Sequence, residues 1–140
     1  MLGLQIKVLI ANTDQELDAA LASLRQMRPD ALLVGPNAGP LFFTRAHKIV
    51  AAAEQLAIPA MYFRREFALA GGLMSYGTNT DETFQVMGEY TGRILKGEKP
   101  GDLPIQQPTK FEFIINVRTA KALGLTVPPT LLAIADEAIE

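Results

Sequence analysis

The 140-residue chain contains no cysteine, which removes disulfides, thiolate metal sites and cysteine nucleophiles at once. Its only histidine, His47, sits beside Lys48 on a predicted helix with no second histidine or clustered acids near it, and one imidazole alone makes no metal site. No apolar run approaches the roughly 18 to 20 residues that a bilayer span needs. The N-terminal stretch MLGLQIKVLIANTD lacks a basic segment and a small-residue cleavage site, so no export signal is expected, and a cytoplasmic location follows if Met1 is the true start. A dinucleotide glycine fingerprint is missing, and Ser75 has no glycine elbow around it. Both points argue against an enzyme on a Rossmann-like scaffold. The acid pairs Asp81/Glu82 and Asp136/Glu137 fall at predicted helix flanks, with no cleft pattern to set them up for glycoside chemistry. Net charge is -2, and the bases Arg25, Arg28, Arg45, Lys48, Arg64, Arg65, Arg93, Lys96 and Lys99 are scattered. No cationic face suits a nucleic acid.

What remains is an ordinary globular composition, 49% apolar and 20% charged, of a length that fits one domain. Gln5 to Ala11 reads as a short strand. Thr13-Asp14-Gln15-Glu16 matches a capping box, and Leu17, Ala20, Leu21, Leu24 and Met27 then recur at helical spacing until Pro29. The continuous apolar run Ala31 to Gly35 is the pattern of a strand covered on both faces, and the turn-rich loop Pro36 to Pro40 follows it. A helix from Thr44 carries Ile49, Val50, Ala53 and Leu56 inward and stops before Pro59. Ala60 to Phe63 is a third strand, Glu66 to Leu69 a helical turn, and Leu73 to Tyr76 a fourth strand after Gly71-Gly72. Asn79 or Thr80 caps a long helix whose Phe84, Met87, Thr91, Ile94 and Leu95 should face inward, with Gly97 at its C-terminal cap. Beyond a Pro- and Gly-rich loop, Phe111 to Val117 alternates with period two. Thr119 to Leu123 and Thr130 to Ile139 read as two closing helices. Strand and helix alternate at βα-unit spacing through about residue 96, which argues for a parallel sheet wrapped by helices.

The stretches REFALAGGLMSYG (65 to 77), GRILKGEKPGDLPIQQPTKFEFIIN (92 to 116) and TAKALGLTVPPTLLAIADEAIE (119 to 140) resemble the C-terminal half of the substrate-binding proteins of a large bacterial ABC-transporter family. Tryptophan and tyrosine binders are among its relatives. The resemblance implies an α/β fold: a Rossmann-like parallel sheet with helices on both faces, forming one truncated C-terminal lobe of a type 1 periplasmic binding protein. Residues 1–108 would be that incomplete lobe. Residues 109–140 would be a crossing strand and helical tail that packs on the missing first lobe or on a partner protomer. The first strand and helix of the second lobe would also be absent. The implied function is partial substrate binding, without catalysis or cofactor, of an amino acid or similar small organic solute. An ABC permease would be a partner only where a first lobe is supplied, and a lone lobe is expected to form a homo-oligomer. The family's location is periplasmic. The alternative is a self-associating structural or regulatory remnant that has lost solute transport.

Open α/β sheets bind ligands at the carboxyl ends of their strands, so the loops after the second, third and fourth strands supply the candidates. Asn37 can hydrogen-bond an amine or carboxylate, or simply form the turn. Phe42 and Phe43 can stack on an aromatic solute, or act as core and staple residues. Arg64, with its neighbour Arg65, can clamp a carboxylate. Glu66 can pair with an ammonium group, or serve as a first-turn acid favoured by the helix dipole. Ser75, Tyr76 and Asn79 precede a helix N-terminus suited to a carboxylate.

Overall fold

The structure is a computed structural model that describes residues 3–35 and 39–140. Seven α-helices and five strands follow in the order α1 (Asp14–Met27), β1 (Leu32–Val34), α2 (Gly39–Thr44), α3 (Ala46–Gln55), β2 (Ala60–Tyr62), α4 (Arg65–Leu69), β3 (Met74–Thr78), α5 (Thr80–Leu95), β4 (Phe111–Asn116), α6 (Val117–Ala122), α7 (Pro129–Ile134) and β5 (Glu137–Ile139). The strands form one sheet in the order β1-β2-β3-β4-β5. β1, β2 and β3 run parallel, as the βα spacing requires, while β4 pairs antiparallel to β3 and parallel to β5.

Local signals fix most helix ends. Thr13 Oγ1 accepts from the Glu16 N–H at 3.2 Å, and the Glu16 carboxylate accepts from the Asn12 N–H at 2.6 Å. The reciprocal half of the capping box therefore falls one residue earlier than its simplest form. Arg28 takes the left-handed conformation and returns its N–H to Leu24 at 2.9 Å, which stops α1 before Pro29. Gly97 and Gly124, with φ of 101° and 69°, follow α5 and α6 at positions where a side chain would be strained.

The main core cluster lies on one face of the sheet, while Ile115 of β4 is buried on the other. Val34, Ala60 and Tyr62 meet Leu17 of α1, Ala46, Ile49, Val50 and Ala53 of α3, and Phe67 of α4. Tyr62 stacks on Phe67 with ring centroids 4.9 Å apart, and its burial raises the phenol pKa to about 12. Glycine is required beside this pair, because a Cβ on Gly72 would lie 2.6 Å from the Tyr62 ring and 2.7 Å from the Phe67 carbonyl oxygen.

Several expectations change once the chain is folded. Residues 5–11 form no strand: Leu4, Ile6, Val8 and Ile10 alternate as a strand would, but all are exposed and no neighbour supplies a ladder. Hydrophobic alternation cannot make a strand without hydrogen-bonding partners. β1 is covered on one face only, since Leu33 remains 73% exposed. The predicted inward stripe of α5 is not inward; the helix buries no residue, and Phe84 and Met87 lie in solvent. The expected final helix is shorter, ending at Ile134, and Glu137–Ile139 is a strand instead. β4 lies between β3 and β5 as an interior strand of the sheet. The period-two pattern is not carried into burial, since Ile114, Ile115 and Asn116 are all buried in succession.

Candidate functional site

The parallel strands β1, β2 and β3 all present their carboxyl ends to one edge of the sheet, and the chain after each end forms that edge. Past β1 lies α2 with Phe42 and Phe43; past β2 come Phe63, Arg64 and α4 with Glu66; past β3 comes the cap of α5. Gly77 ties the second and third groups together. A Cβ there would sit 1.9 Å from the Phe63 carbonyl oxygen, so the end of β3 can approach the end of β2 only with glycine at that position.

Phe43, Arg64 and Glu66 converge. The Arg64 guanidinium lies 4.4 Å from the centroid of the Phe43 ring, and its Nη1 is 4.0 Å from Glu66 Oε1. The other carboxylate oxygen, Glu66 Oε2, is buried and has no hydrogen-bond partner. Phe42 packs against the core beside them, which is the staple role open to one of the two phenylalanines.

A second polar group adjoins the first. Arg65 reaches Glu112 at 3.5 Å and Glu137 at 3.0 Å, and Asn79 donates its side-chain amide to Glu112. Asn79 also caps α5, its Oδ1 accepting from the Glu82 N–H at 2.8 Å. Both functions are structural, and they occupy the amide group that sequence reasoning offered to a ligand. Glu112 is a site neighbour that sequence reading passed over. Its signal was a charged residue between Phe111 and Phe113 on a strand, placed on the same sheet face as Gly77 by the β3–β4 register.

Ser75 and Tyr76 separate to opposite faces, as successive strand residues must. Ser75 pairs with Tyr62 and Ile114 on the covered face, is 1% exposed, and its Oγ has no hydrogen-bond partner. Tyr76 points to the open face, half exposed, where it stacks on Phe111 at 5.7 Å and meets Phe113 edge-on at 6.4 Å. The edge thus gathers Phe43, Arg64 and Glu66 with Asn79 close by, and holds Ser75 and Tyr76 apart from them. Asn37 lies outside the described residues.

A sequence profile described as ABC transporter substrate binding protein matches residues 2–139. No curated protein sequence matches the chain. Among solved structures, the ABC domain in complex with L-Trp from Streptococcus pneumonia is similar with a TM-score of 0.87 at 22% identity, over 98% of this chain and 45% of that one. A conserved domain protein from Vibrio cholerae O1 biovar El Tor gives a TM-score of 0.80 at 22% identity, over 91% of this chain and 42% of its own. A ligand-free, open substrate-binding protein with adhesive properties from Clostridium difficile gives 0.58 at 23% identity, over 93% and 42%. The chain therefore spans less than half the length of each of these structures.

Proposed function

Because the chain belongs to the ABC transporter substrate-binding protein family, we propose that it is one side of a binding site for an amino acid or similar small organic solute. On this reading it acts without catalysis, in service of a permease, in the periplasm. The observation that carries the reading is the meeting of Phe43, Arg64 and Glu66, each partly exposed, at the carboxyl ends of β1 and β2. An aromatic ring, a guanidinium and a carboxylate oxygen on one rim can contact an apolar body and a charged head of a small solute. The solved complex with L-Trp supports the class of solute by likeness of fold.

Phe43, Arg64 and Glu66 are each partly exposed at this rim. Tight binders bury most of a ligand's surface, and a single open edge supplies part of the contacts and excludes little water. The other half of the site is then contributed by a further segment or a further copy, and this chain alone binds weakly. Each decade of affinity corresponds to about 1.4 kcal/mol, so the loss of a few hydrogen bonds moves a micromolar constant to about 1 mM.

Titrating the 15N-labelled chain with a panel of free amino acids, read by amide chemical shifts, tests this. The expected result is weak, saturable binding that moves the amides around Arg64 and Glu66. Micromolar binding by a proven monomer would overturn the half-site reading, and shifts confined to other regions would overturn the site.

A second reading, a self-associating structural or regulatory remnant, is favoured by the exposed apolar surface of Leu33, Phe84, Met87 and residues 4–10. It predicts a stable homo-oligomer in which no amino acid moves the amides of 64–67.

A further inference from the structure

Resting on the solute-binding reading, we infer that Arg65 is a positioning residue of the rim, tying it to β4 and β5 so that the C-terminal strands set where Arg64 and Glu66 stand. α4, which carries the rim acid, is five residues long, and Arg64 before it is extended and gives its first turn no side-chain cap. That start needs another hold. Polar side chains tie the stretch 65–71 to the chain from residue 112 onward at its end, its middle and its start. Thr119 Oγ1 donates to the Gly71 carbonyl at 2.8 Å, and the buried Asn116 amide donates to the Ala68 carbonyl at 3.3 Å. At the rim end, Arg65 Nη1 faces Glu112 at 3.5 Å and Nη2 donates to Glu137 at 3.0 Å.

The ladder brings these partners within reach. Glu112, Ile114 and Asn116 are alternate residues of β4 and share one sheet face, and Ile114 pairs with Ser75 on one side and Glu137 on the other. It is the face that α4 covers. One row of β4 therefore runs beneath α4, meeting Ala68 through Asn116 and Arg65 through Glu112, with Glu137 alongside. Phe67 and Ala68 already bury α4 in the core, whereas Arg65, Glu112 and Glu137 are all partly exposed, and ion pairs of that kind add far less stability than a buried phenylalanine. The clamp is not what keeps the helix folded. What a planar guanidinium held by two carboxylates from different strands does fix is direction. Arg64 and Glu66 flank Arg65 in the chain, so turning the start of α4 turns both, and with them the 4.4 Å contact between the Arg64 guanidinium and the Phe43 ring. A shift of β4 or β5 is thereby passed to the rim.

The Phe43 ring makes the rim's geometry visible without any solute, because its ring current displaces the resonances of the Arg64 δ-methylene protons beside the stacked guanidinium. Phe43→Leu gives the zero of that displacement. In the labelled full chain, Arg65→Gln, and separately Glu112→Gln combined with Glu137→Gln, should each lose at least about half of it while the urea midpoint falls by less than about 0.5 M. Arg65→Lys, which keeps the charge but not the fork, should fall between Arg65→Gln and the parent. Arg64 resonances that hold their parent positions in the neutralised variants overturn the inference, since the core alone would then set the rim. A midpoint that drops as far as that of Phe67→Ala overturns it too, because Arg65 would then be a stabilising residue and not a positioning one. L-Phenylalanine, titrated against the same proteins, separates this from the solute-binding reading. Where it moves the amides of 64–67 in the parent, Arg65→Gln should weaken it at least about threefold, and an unchanged affinity counts against positioning. Where it and the other free amino acids move none of those amides, the solute-binding reading fails by itself, and the Arg64 resonances still decide whether Arg65 sets the rim.

Discussion

The two faces of the sheet are built from similar residues and fare differently. On one, Val34, Ala60, Tyr62 and Ile114 are sealed under α1, α3 and α4. On the other, Ile115 is buried but Leu33, Tyr76 and Phe111 remain open, and α5, as amphipathic in sequence as α1, buries none of its residues. Amphipathic pattern states that an element needs a partner; it does not supply one. α1 and α3 found theirs in the sheet, whereas α5 and the alternating run Leu4, Ile6, Val8, Ile10 present apolar surface with nothing against it.

The sharpest way to break the comparison is to cut one phenylalanine from each region. Phe67→Ala, in the sealed core, should lower the free energy of unfolding by about 3–5 kcal/mol, whereas Phe84→Ala on α5 should change it by less than about 0.5 kcal/mol. Equal losses in urea titration would mean that α5 is packed in solution and that the open face is not open.

Next in size is the backbone contact that brings the rim together. Gly77→Ala places a methyl group against the Phe63 carbonyl and should cost about 2–3 kcal/mol. It should also disperse the amide shifts of Arg64 and Glu66. A variant as stable as the parent would show that β2 and β3 separate without loss.

The open region is expected to self-associate. Replacing Ile6 and Val8 together by lysine should weaken association by about 2 kcal/mol while leaving the fold intact, since both side chains are exposed and a charge there opposes burial against a partner. Sedimentation that is monomeric for the parent, or identical for parent and variant, removes the idea.

Helix capping gives a smaller and purely local effect. Thr13→Ala should cost about 1 kcal/mol, from loss of the bond to the Glu16 N–H. Asn79→Ala should cost more than Thr13→Ala, because Asn79 also bonds Glu112. The reverse order would argue that the rim network is loose.

The smallest effect is electrostatic. Hydrogen bonds from Arg45 hold the Asp14 carboxyl below its ordinary value. A group whose folded pKa is depressed adds stability above its unfolded pKa, and that contribution is lost as pH falls through the folded pKa. Asp14→Asn should therefore lower stability slightly at neutral pH and converge with the parent below about pH 4, which flattens the acid limb of the stability curve. A variant that differs from the parent only at acid pH would contradict the sign.

How much of this was legible before folding depends on the range of the cause. The start of α1 at Thr13, the cap at Asn79, the breaks at Pro29 and Gly97 and the positions of β2 and β3 were all readable, because each depends on neighbours a few residues away. The strand expected at residues 5–11 and the inward stripe of α5 were misread for a shared reason: both patterns were correct, and both needed a surface that the described residues do not supply. At the site, Phe43, Arg64 and Glu66 were named one by one from their loops, but their convergence was not visible. Ser75 and Tyr76 were named as a pair, and pleating sent them to opposite faces.

The sequence by itself determined the capped starts of α1 and α5 and the parallel run of the first βα units, since capping, periodicity and strand direction are short-range properties. Only the tertiary structure decided that β4 runs antiparallel inside the sheet, that Arg65 is taken by Glu112 and Glu137 from far along the chain, and that Glu66 keeps an oxygen without a partner. Those facts depend on which distant surfaces meet. Ladder register and ion pairing are settled by contacts that no local window of residues contains.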